Sequence, residues 1–272
     1  MLNLVVATHA EAEPLISALK LKKIPALLTC YQNQQTHLVI TGIGKCNSAA
    51  ACGWIAEKSS RQSKTTYSVK SGAWLNVGIA GHQHAELGTL MAAHKVTDFS
   101  TNKVWYPHRL FQSIASSDLV TVDEPQSDYL TDQLYDMEAS AFIESARHFS
   151  HAELVQSLKV VSDNEQQPYS NISAKLATKL IAENIELIVE CIETLQTLAQ
   201  SIAPTNEHIS DTILARWHFS VSQSVQLERI LQRYSTILSP MTEIPADLQK
   251  QESSKEVLRW LQTALDSADG YL

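Results

Sequence analysis

Three acidic residues stand at places in the sequence where carboxylates commonly do chemistry. Asp163 follows directly on an apolar, β-branched run, so it lies at the carboxyl end of a predicted strand. Glu138 lies near the start of the helix predicted before that strand, and Glu11 lies in the turn after the first predicted strand. Ligands of open α/β sheets bind outside the carboxyl ends of the strands, so Asp163 and Glu138 are expected to face one pocket. Paired carboxylates would supply general acid and base catalysis there, as they do in the cleavage of glycosidic bonds.

A plainer explanation of two of these residues stays open on the sequence alone. Glu138 would cap a helix and Asp163 would end a strand, with no chemistry attached to either. The residue pattern does not decide between the two explanations.

The elements that must position the acids are a helix and a strand within residues 134–165. Met137, Ala141 and Phe149 fall on one face at multiples of four residues, which predicts an amphipathic helix packed on a sheet. Residues 154–161 are apolar and predict the strand that follows.

The sequence from the N-terminus to about residue 200 predicts an α/β protein. Short apolar runs typical of buried parallel strands alternate with helical stretches, which indicates a sheet covered by helices on both faces. Residues 58–72 are polar and predict a long loop. The predicted strands span residues 2–7, 26–31, 36–41, 74–79, 87–99 and 118–122, and the other predicted helices include one with Pro14 in its first turn, 47–57 and 173–202.

The end of the chain has a different character. After Pro204 the apolar residues recur at helical spacing, so residues 204–272 are expected to be a helical extension of an α/β domain at residues 1–203. Two or three helices are too few for a stable core of their own, so the extension is expected to pack on the α/β domain or on a partner subunit. The large side chains expected to need such a surface are Trp217, Leu231, Tyr234, Trp260 and Leu261.

The composition argues against several classes of function. The 272 residues are 44% hydrophobic, and the formal net charge of −8 argues against a surface for nucleic acid or an anionic membrane. The N-terminus lacks the basic region of a secretion signal and no apolar run approaches the roughly 18 residues that span a bilayer, so a cytoplasmic location is expected. Neither the cysteines nor the histidines show metal-ligand spacing, so no metal site is expected. A small-molecule ligand is the better expectation.

Four short motifs occur in an order that resembles one known superfamily. They are Val6-Ala7-Thr8-His9-Ala10-Glu11, Thr41-Gly42-Ile43-Gly44-Lys45, Asn76-Val77-Gly78-Ile79-Ala80-Gly81, and Asp136-Met137-Glu138-Ala139 followed by a strand that ends in Ser162-Asp163. In these motifs the chain resembles the purine nucleoside phosphorylases and nucleosidases, and especially the methylthioadenosine/S-adenosylhomocysteine nucleosidases. The resemblance covers roughly residues 1–200. It implies an α/β fold with a three-layer, twisted mixed sheet and helices on both faces, to which the C-terminal helical extension is added.

The resemblance also implies roles for the motif residues. Asp163 would be the general acid that protonates N7 of a departing purine, and Glu11 would position or deprotonate the attacking water. Glu138 would accept hydrogen bonds from the ribose hydroxyls, with Met137 packed against the sugar. The residues expected to line the ribose and base sites or to orient the general acid are Ile43, Ala80, Gly81, Ser162 and Asp123. Neither a metal nor an organic cofactor is implied, and the expected assembly is a homodimer in which the neighbouring subunit completes the pocket.

The chain also departs from the pattern of that family. Ile79 stands where many nucleosidases have a serine, and Lys159 stands where they carry an arginine. The arginines with which phosphorylases bind phosphate have no evident counterpart, which favours hydrolysis over phosphorolysis. Residues 121–125 lack the aromatic side chain that stacks on adenine, so the base is not predicted. The expected activity is hydrolysis of the N-glycosidic bond of a purine nucleoside or thionucleoside. A phosphorylase and a nucleoside-binding protein without turnover are the alternatives.

Overall fold

A computed structural model of the protein describes residues 1–62, 72–126, 129–202, 207–239 and 241–269. These residues fall into two compact units. The first contains residues 1–56 together with the described part of residues 70–201, and the second contains the described residues from Ile202 onward together with the end of a helix that starts in the first unit. The domain boundary expected between residues 203 and 204 lies outside the described residues, so it stays a prediction.

The first unit is built on a mixed β-sheet. Its ten strands, counted over the described residues, are β1 (Leu2–Val6), β2 (Lys22–Ile24), β3 (Thr29–Gln32), β4 (Thr36–Ile40), β5 (Ala73–His82), β6 (Leu90–Asp98), β7 (Val104–Trp105), β8 (Ala115–Thr121), β9 (Leu134–Asp136) and β10 (Val155–Asp163). β1 runs parallel to β4 on one side and to β5 on the other, and β10 also runs parallel to β5. β1 and β10 are buried along their whole lengths, so both faces of the sheet are covered. The expected α/β fold class is confirmed.

Five of these strands close into a ring that the sequence pattern did not predict. β5 pairs with β10, β10 with β6, β6 with β8, β8 with β9, and β9 returns to β5. The ring places Gly81 of β5 opposite Asp163 on one side and opposite Tyr135 on the other. The carboxyl ends of β5 and β10 therefore lie side by side.

Helices cover the sheet in the first unit and make up the described part of the second. They are α1 (His9–Ala18), α2 (Lys45–Gln62), α3 (Ala139–Ala146), α4 (Ala174–Glu183) and α5 (Ile185–Ile202), then α6 (Glu207–Arg216), α7 (Val221–Ile237), α8 (Ala246–Gln249) and α9 (Ser254–Asp269). Because α2 continues to Gln62, the start of the loop predicted at residues 58–72 is helical, while residues 63–71 lie outside the described part. Within the described ranges, none of the helices has the length and apolarity needed to cross a bilayer.

The helix predicted from residue 134 begins later than expected. Leu134 to Asp136 form β9, and α3 starts only at Ala139. Asp136 explains the change, because its carboxylate accepts a hydrogen bond from the backbone N–H of Ala139 at 2.8 Å and another from the hydroxyl of Thr121 at 2.7 Å. The first bond satisfies a free N–H group at the start of the helix.

Two other predicted boundaries also change. Glu11 lies in the first turn of α1 and not in the preceding turn, because Thr8 and Glu11 form a capping box that starts the helix at that point. The single helix predicted at residues 173–202 is divided at Asn184, whose side-chain amide donates to the backbone oxygen of Gly88 at 2.9 Å.

The second unit has a hydrophobic core of its own. Residues from α6, α7, α8 and α9 and from the segments between them meet in it. The buried members are Ile209, Ile213, Trp217, Leu227, Ile230, Leu231, Met241, Leu248, Val257, Leu258, Leu261 and Leu265. Tyr234 and Trp260 are partly buried and pack against this core. The expectation that these side chains need another surface is therefore wrong, because the described helices bury them among themselves.

Candidate active site

A cavity of about 420 Å³ opens in the first unit at the carboxyl ends of β1, β5 and β10. Its wall contains all three acids singled out in the sequence, Glu11, Glu138 and Asp163. The other predicted site residues that line it are Ile43, Ala80, Gly81, Met137 and Ser162. The position of the cavity is the one expected for ligands of α/β sheets.

Asp163 is held at the end of β10 by two hydroxyl groups. Its Oδ1 accepts a hydrogen bond from the hydroxyl of Ser162, and its Oδ2 accepts one from the phenol of Tyr129. A Cβ atom at position 81 would lie 2.7 Å from Asp163 Oδ2 and 2.7 Å from Tyr129 Cε1. Glycine at this position therefore permits the close approach of the carboxylate and the phenol. Asp163 is 5% exposed, so the carboxyl group is almost wholly removed from bulk water.

Glu138 stands at the N-terminus of α3, but its side chain does not cap that helix. Its Oε1 instead accepts a hydrogen bond from the backbone N–H of Gly44, at 2.8 Å, in the turn between β4 and α2. Since Asp136 bonds the first N–H of the helix, the explanation of Glu138 as a helix cap is wrong. Its carboxylate lies in the wall of the cavity.

Lys159 and Asp136 form a buried ion pair close to Glu138 and Glu11. Nζ of Lys159 is 2.7 Å from Oδ2 of Asp136, and the two side chains are 1% and 0% exposed. Burial alone would lower the pKa of Lys159, but the carboxylates of Asp136 and Glu138 raise it. A Cβ atom on Gly78 would lie 2.9 Å from Glu11 Oε1 and 3.4 Å from the Lys159 ammonium group, so glycine allows these charges to approach one another.

The same environment changes the proton affinity of Glu138. Burial raises its pKa to about 7, and the nearby carboxylates of Asp136 and Glu11 act in the same direction. The Lys159 ammonium group and the Gly44 N–H oppose this rise without cancelling it. Glu138 therefore gains and loses a proton near neutral pH.

Glu11 is fixed through both carboxylate oxygens. Oε2 accepts hydrogen bonds from the backbone N–H of Thr8 at 2.8 Å and from the Thr8 hydroxyl at 2.6 Å, while Oε1 accepts one from the backbone N–H of Ile79 at 3.0 Å. These bonds join α1 to β5 at the floor of the cavity. The side chain of Ile79 lines the cavity here, so this position offers an apolar surface and no hydroxyl group.

Asp123 is the one predicted site residue that does not line the cavity. Its side chain is 61% exposed and pairs with Lys45 at 2.7 Å, and it also accepts a hydrogen bond from Ser100. Lys45 in turn lies 3.0 Å from Asp98. The neighbouring Val122 contributes to the wall instead. The base-site role expected of Asp123 has no support in this placement, because its carboxylate is used in a surface ion-pair network.

Aromatic side chains, which the predicted base loop lacked, enter the cavity from other segments. Tyr129 and Tyr135 pack with ring centroids 5.4 Å apart, and Tyr169, from the segment after β10, lies in the wall as well. No periodic pattern in the sequence indicates either residue, because Tyr129 lies outside the helices and strands and Tyr169 begins a 3-10 helix of only three residues. Among the residues that the structure describes, no group of three or more His, Cys, Asp or Glu side chains is arranged to hold a metal ion.

Comparisons with known proteins agree with this geometry at the level of the fold. No protein-family model matches the chain, and neither does any curated protein sequence. Solved structures do match. A 5′-methylthioadenosine nucleosidase from Arabidopsis thaliana superposes with a TM-score of 0.56 at 17% identity, over 71% of this chain and 95% of its own. The methylthioadenosine/S-adenosylhomocysteine nucleosidase of Campylobacter jejuni gives 0.55 at 16% identity, over 71% and 98%. That of Streptococcus pneumoniae gives 0.54 at 17% identity, over 72% and 99%.

The chain has the nucleoside phosphorylase-like fold. The superpositions span nearly the whole of each relative but less than three quarters of this chain. At these identities the likeness establishes the fold alone, so the chemistry rests on the cavity. Residues of all four sequence motifs line that cavity although the motifs lie far apart in the chain.

Proposed function

We propose that this protein is a nucleosidase that hydrolyses the N-glycosidic bond of a purine nucleoside or of a 5′-thionucleoside resembling methylthioadenosine or S-adenosylhomocysteine. The observation that carries the proposal is the convergence of Glu11, Glu138 and Asp163 on one cavity of this fold. A relative with the same fold, from Chlamydia trachomatis, has been solved with methylthioadenosine bound. The activity requires neither a metal nor an organic cofactor.

Asp163 has the position of the general acid. When the glycosidic C–N bond breaks, its electron pair goes to the base, so N7 of a purine gains a proton as the bond lengthens. The hydroxyl of Ser162 occupies Oδ1, so Oδ2 is the oxygen from which the proton passes. After transfer Asp163 is a carboxylate, and it takes up another proton from solvent before it protonates the next base.

Glu138 is suited to hold the ribose. Its Oε1 already accepts the Gly44 N–H, which leaves Oε2 to accept hydrogen bonds from sugar hydroxyls. Hydrogen bonds to the charged form favour ionisation, so a bound ribose would draw Glu138 towards the carboxylate. That negative charge then stabilises the positive charge that develops on the sugar during cleavage.

In this proposal Glu11 receives a proton from water as the water oxygen attacks the anomeric carbon, and it releases that proton to solvent before the next cycle. The bonds from Thr8 and Ile79 keep its carboxylate in one orientation at the cavity wall. Water is favoured over phosphate because the buried Lys159 is paired with Asp136. The backbone N–H of Ile79 is likewise already donated to Glu11, so it is not available to a phosphate oxygen.

One observation favours the alternative of a binding protein without turnover. Both oxygens of Asp163 accept hydrogen bonds in the free protein, so the acid is occupied when no ligand is bound. The test is release of free base from a panel of purine nucleosides and thionucleosides, with and without inorganic phosphate, followed by chromatography. Release without phosphate supports hydrolysis, release only with phosphate shows a phosphorylase, and binding without release shows the inert alternative.

We also propose that the protein is a homodimer, as the resemblance to the nucleosidases implies. The apolar side chains of the second unit are no longer a reason to expect a dimer, because they are buried within that unit. A better candidate surface is the β6–β7 hairpin of the first unit, where Phe99 is 63%, Val104 39% and Tyr106 72% exposed. Several large apolar groups exposed on one hairpin make it a candidate interaction surface.

A further inference from the structure

The contact between Tyr129 and Asp163 is the feature of the cavity that the proposed chemistry does not use. The phenol donates a hydrogen bond to Oδ2 of Asp163, the oxygen that faces an incoming base in the proposed mechanism. Tyr129 is 4% exposed, and its ring packs against Gly81 and Tyr135. The phenol is therefore a buried and directional partner of the carboxylate.

The direction of this hydrogen bond decides its effect. Burial raises the pKa of Tyr129, and the Asp163 carboxylate raises it further, so the phenol keeps its proton and acts as the donor. While the phenol donates to Oδ2, it occupies the place beside that oxygen that the ring nitrogen of a base must take. With the hydroxyl of Ser162 on the other oxygen, the free protein holds Asp163 as an acceptor on both sides.

We propose that Tyr129 is a displaceable partner of Asp163, which an entering purine must replace at Oδ2 before the base can be protonated. This inference rests on the proposed function, because it assigns the base to the Oδ2 side of Asp163. Binding of a base exchanges the phenol–carboxylate hydrogen bond for one between Oδ2 and a ring nitrogen. Where that nitrogen carries no hydrogen, Asp163 takes up a proton from solvent as the phenol leaves and donates it in the new hydrogen bond. Tyr129 thereby sets the affinity of the site for bases and protects the buried carboxylate while the site is empty. It takes no part in bond cleavage.

The first experiment measures base binding by calorimetry, with adenine and hypoxanthine as the probes. The proteins are the full-length wild type, Tyr129→Phe, and the matched control Tyr31→Phe, which removes a phenol hydroxyl from β3, outside the cavity. Removing the competing hydrogen bond should tighten binding of a base by roughly tenfold in Tyr129→Phe. The control should bind as the wild type does. Equal or weaker binding by Tyr129→Phe overturns the proposal.

A second experiment tests the contact in the ligand-free protein. Thermal melts are recorded for the wild type, Tyr129→Phe, Asp163→Ala and the double variant. If the phenol and the carboxylate are partners, Tyr129→Phe lowers the melting temperature by roughly 2–6 °C in the wild-type background and by much less in the Asp163→Ala background. Equal losses in the two backgrounds overturn the proposal, whatever the enzyme does with nucleosides.

Together the two experiments separate failure of this inference from failure of the proposed function. If the wild type releases base from a nucleoside but Tyr129→Phe does not bind a base more tightly, the proposed activity is supported and the displacement of Tyr129 is overturned. Coupled melts without binding of either base overturn the displacement as well. If the protein also cleaves no nucleoside in the panel, the proposed nucleosidase activity is overturned too.

Discussion

Replacing Glu138 by glutamine should change how the stability of the protein depends on pH. The variant removes the titrating group but keeps an oxygen that can accept the hydrogen bond from Gly44. In the folded protein the pKa of Glu138 is raised from its ordinary value of 4.5 to about 7. The folded state therefore binds this proton more tightly than the unfolded chain does. The resulting stabilisation is complete below the ordinary pKa and is lost as the pH rises through the folded value.

The size of the effect follows from the shift. Each pKa unit corresponds to about 1.4 kcal/mol of stabilisation, and most of this stabilisation is lost between pH 5 and pH 8. The free energy of unfolding of the wild type, relative to that of Glu138→Gln, should therefore fall by about 2 kcal/mol between those pH values. Titrating groups that do not interact with Glu138 change both proteins alike, so they cancel in the difference.

Urea unfolding of both proteins at pH 5, 6, 7 and 8 measures this difference. Glu144→Gln serves as the matched control, because Glu144 lies in α3 as an exposed partner of Lys103 and should show little pH-dependent difference from the wild type. A wild-type minus Glu138→Gln difference that stays constant from pH 5 to pH 8 would show that Glu138 does not hold a proton near neutrality. In that case burial and the carboxylates of Asp136 and Glu11 do not raise the pKa of Glu138.

Three further predictions concern the sugar site, the turn beside it and the assembly. A ribosyl ligand should bind roughly 10–100 times more tightly than its 2′,3′-dideoxy analogue, and Glu138→Gln should shrink that gap; equal affinities in the wild type would remove Glu138 from the ribose site. Lys45→Met should weaken binding of the ribosyl ligand several-fold. Lys45 follows Gly44, which donates to Glu138, and its ion pair with Asp98 holds this turn in place. Asp98 in turn accepts a hydrogen bond from the Ser140 hydroxyl of α3 at 2.8 Å. An unchanged dissociation constant would show that the turn is held in another way. Light scattering should give a dimer for the wild type and a lower mass for the double variant Phe99→Ser/Tyr106→Ser; a wild-type monomer at micromolar concentration would exclude the dimer.

The parts of the fold that the sequence predicted are those specified by local pattern. The apolar runs of β1 and β10 are buried on both faces, and this alone indicates covered central strands. Asp163 was predicted at the end of its strand because polar residues follow the apolar run there. The structure places it at that end.

The parts that were missed depend on contacts between distant residues. Leu134 to Asp136 fit a helical pattern, but pairing with β5 and β8 makes them a strand. The closure of five strands into a ring has the same origin, since local pattern does not specify which strands pair. The core of the second unit was missed because the apolar positions of α6 to α9 belong to one cluster only once the helices are assembled.

The candidate site shows the same division. The three acids were identified from motif residues, and the structure brings them to one cavity. Asp123 was expected beside them, yet Lys45 holds it in an ion pair that the sequence did not indicate. Tyr129 was not identified, because nothing in its neighbourhood along the chain relates it to Asp163, 34 residues away.

The most direct test of the proposed function is the rate of base release by Asp163→Asn. The wild type, this variant and the control Asp118→Asn, which alters a carboxylate of β8 that pairs with Lys95, are compared on the nucleoside that the wild type cleaves fastest. Loss of a positioned general acid should lower the rate by at least about a hundredfold while the variant stays folded, and the control should keep its rate. A rate for Asp163→Asn close to that of the wild type would contradict the assignment of Asp163 as the acid and, with it, the proposed mechanism.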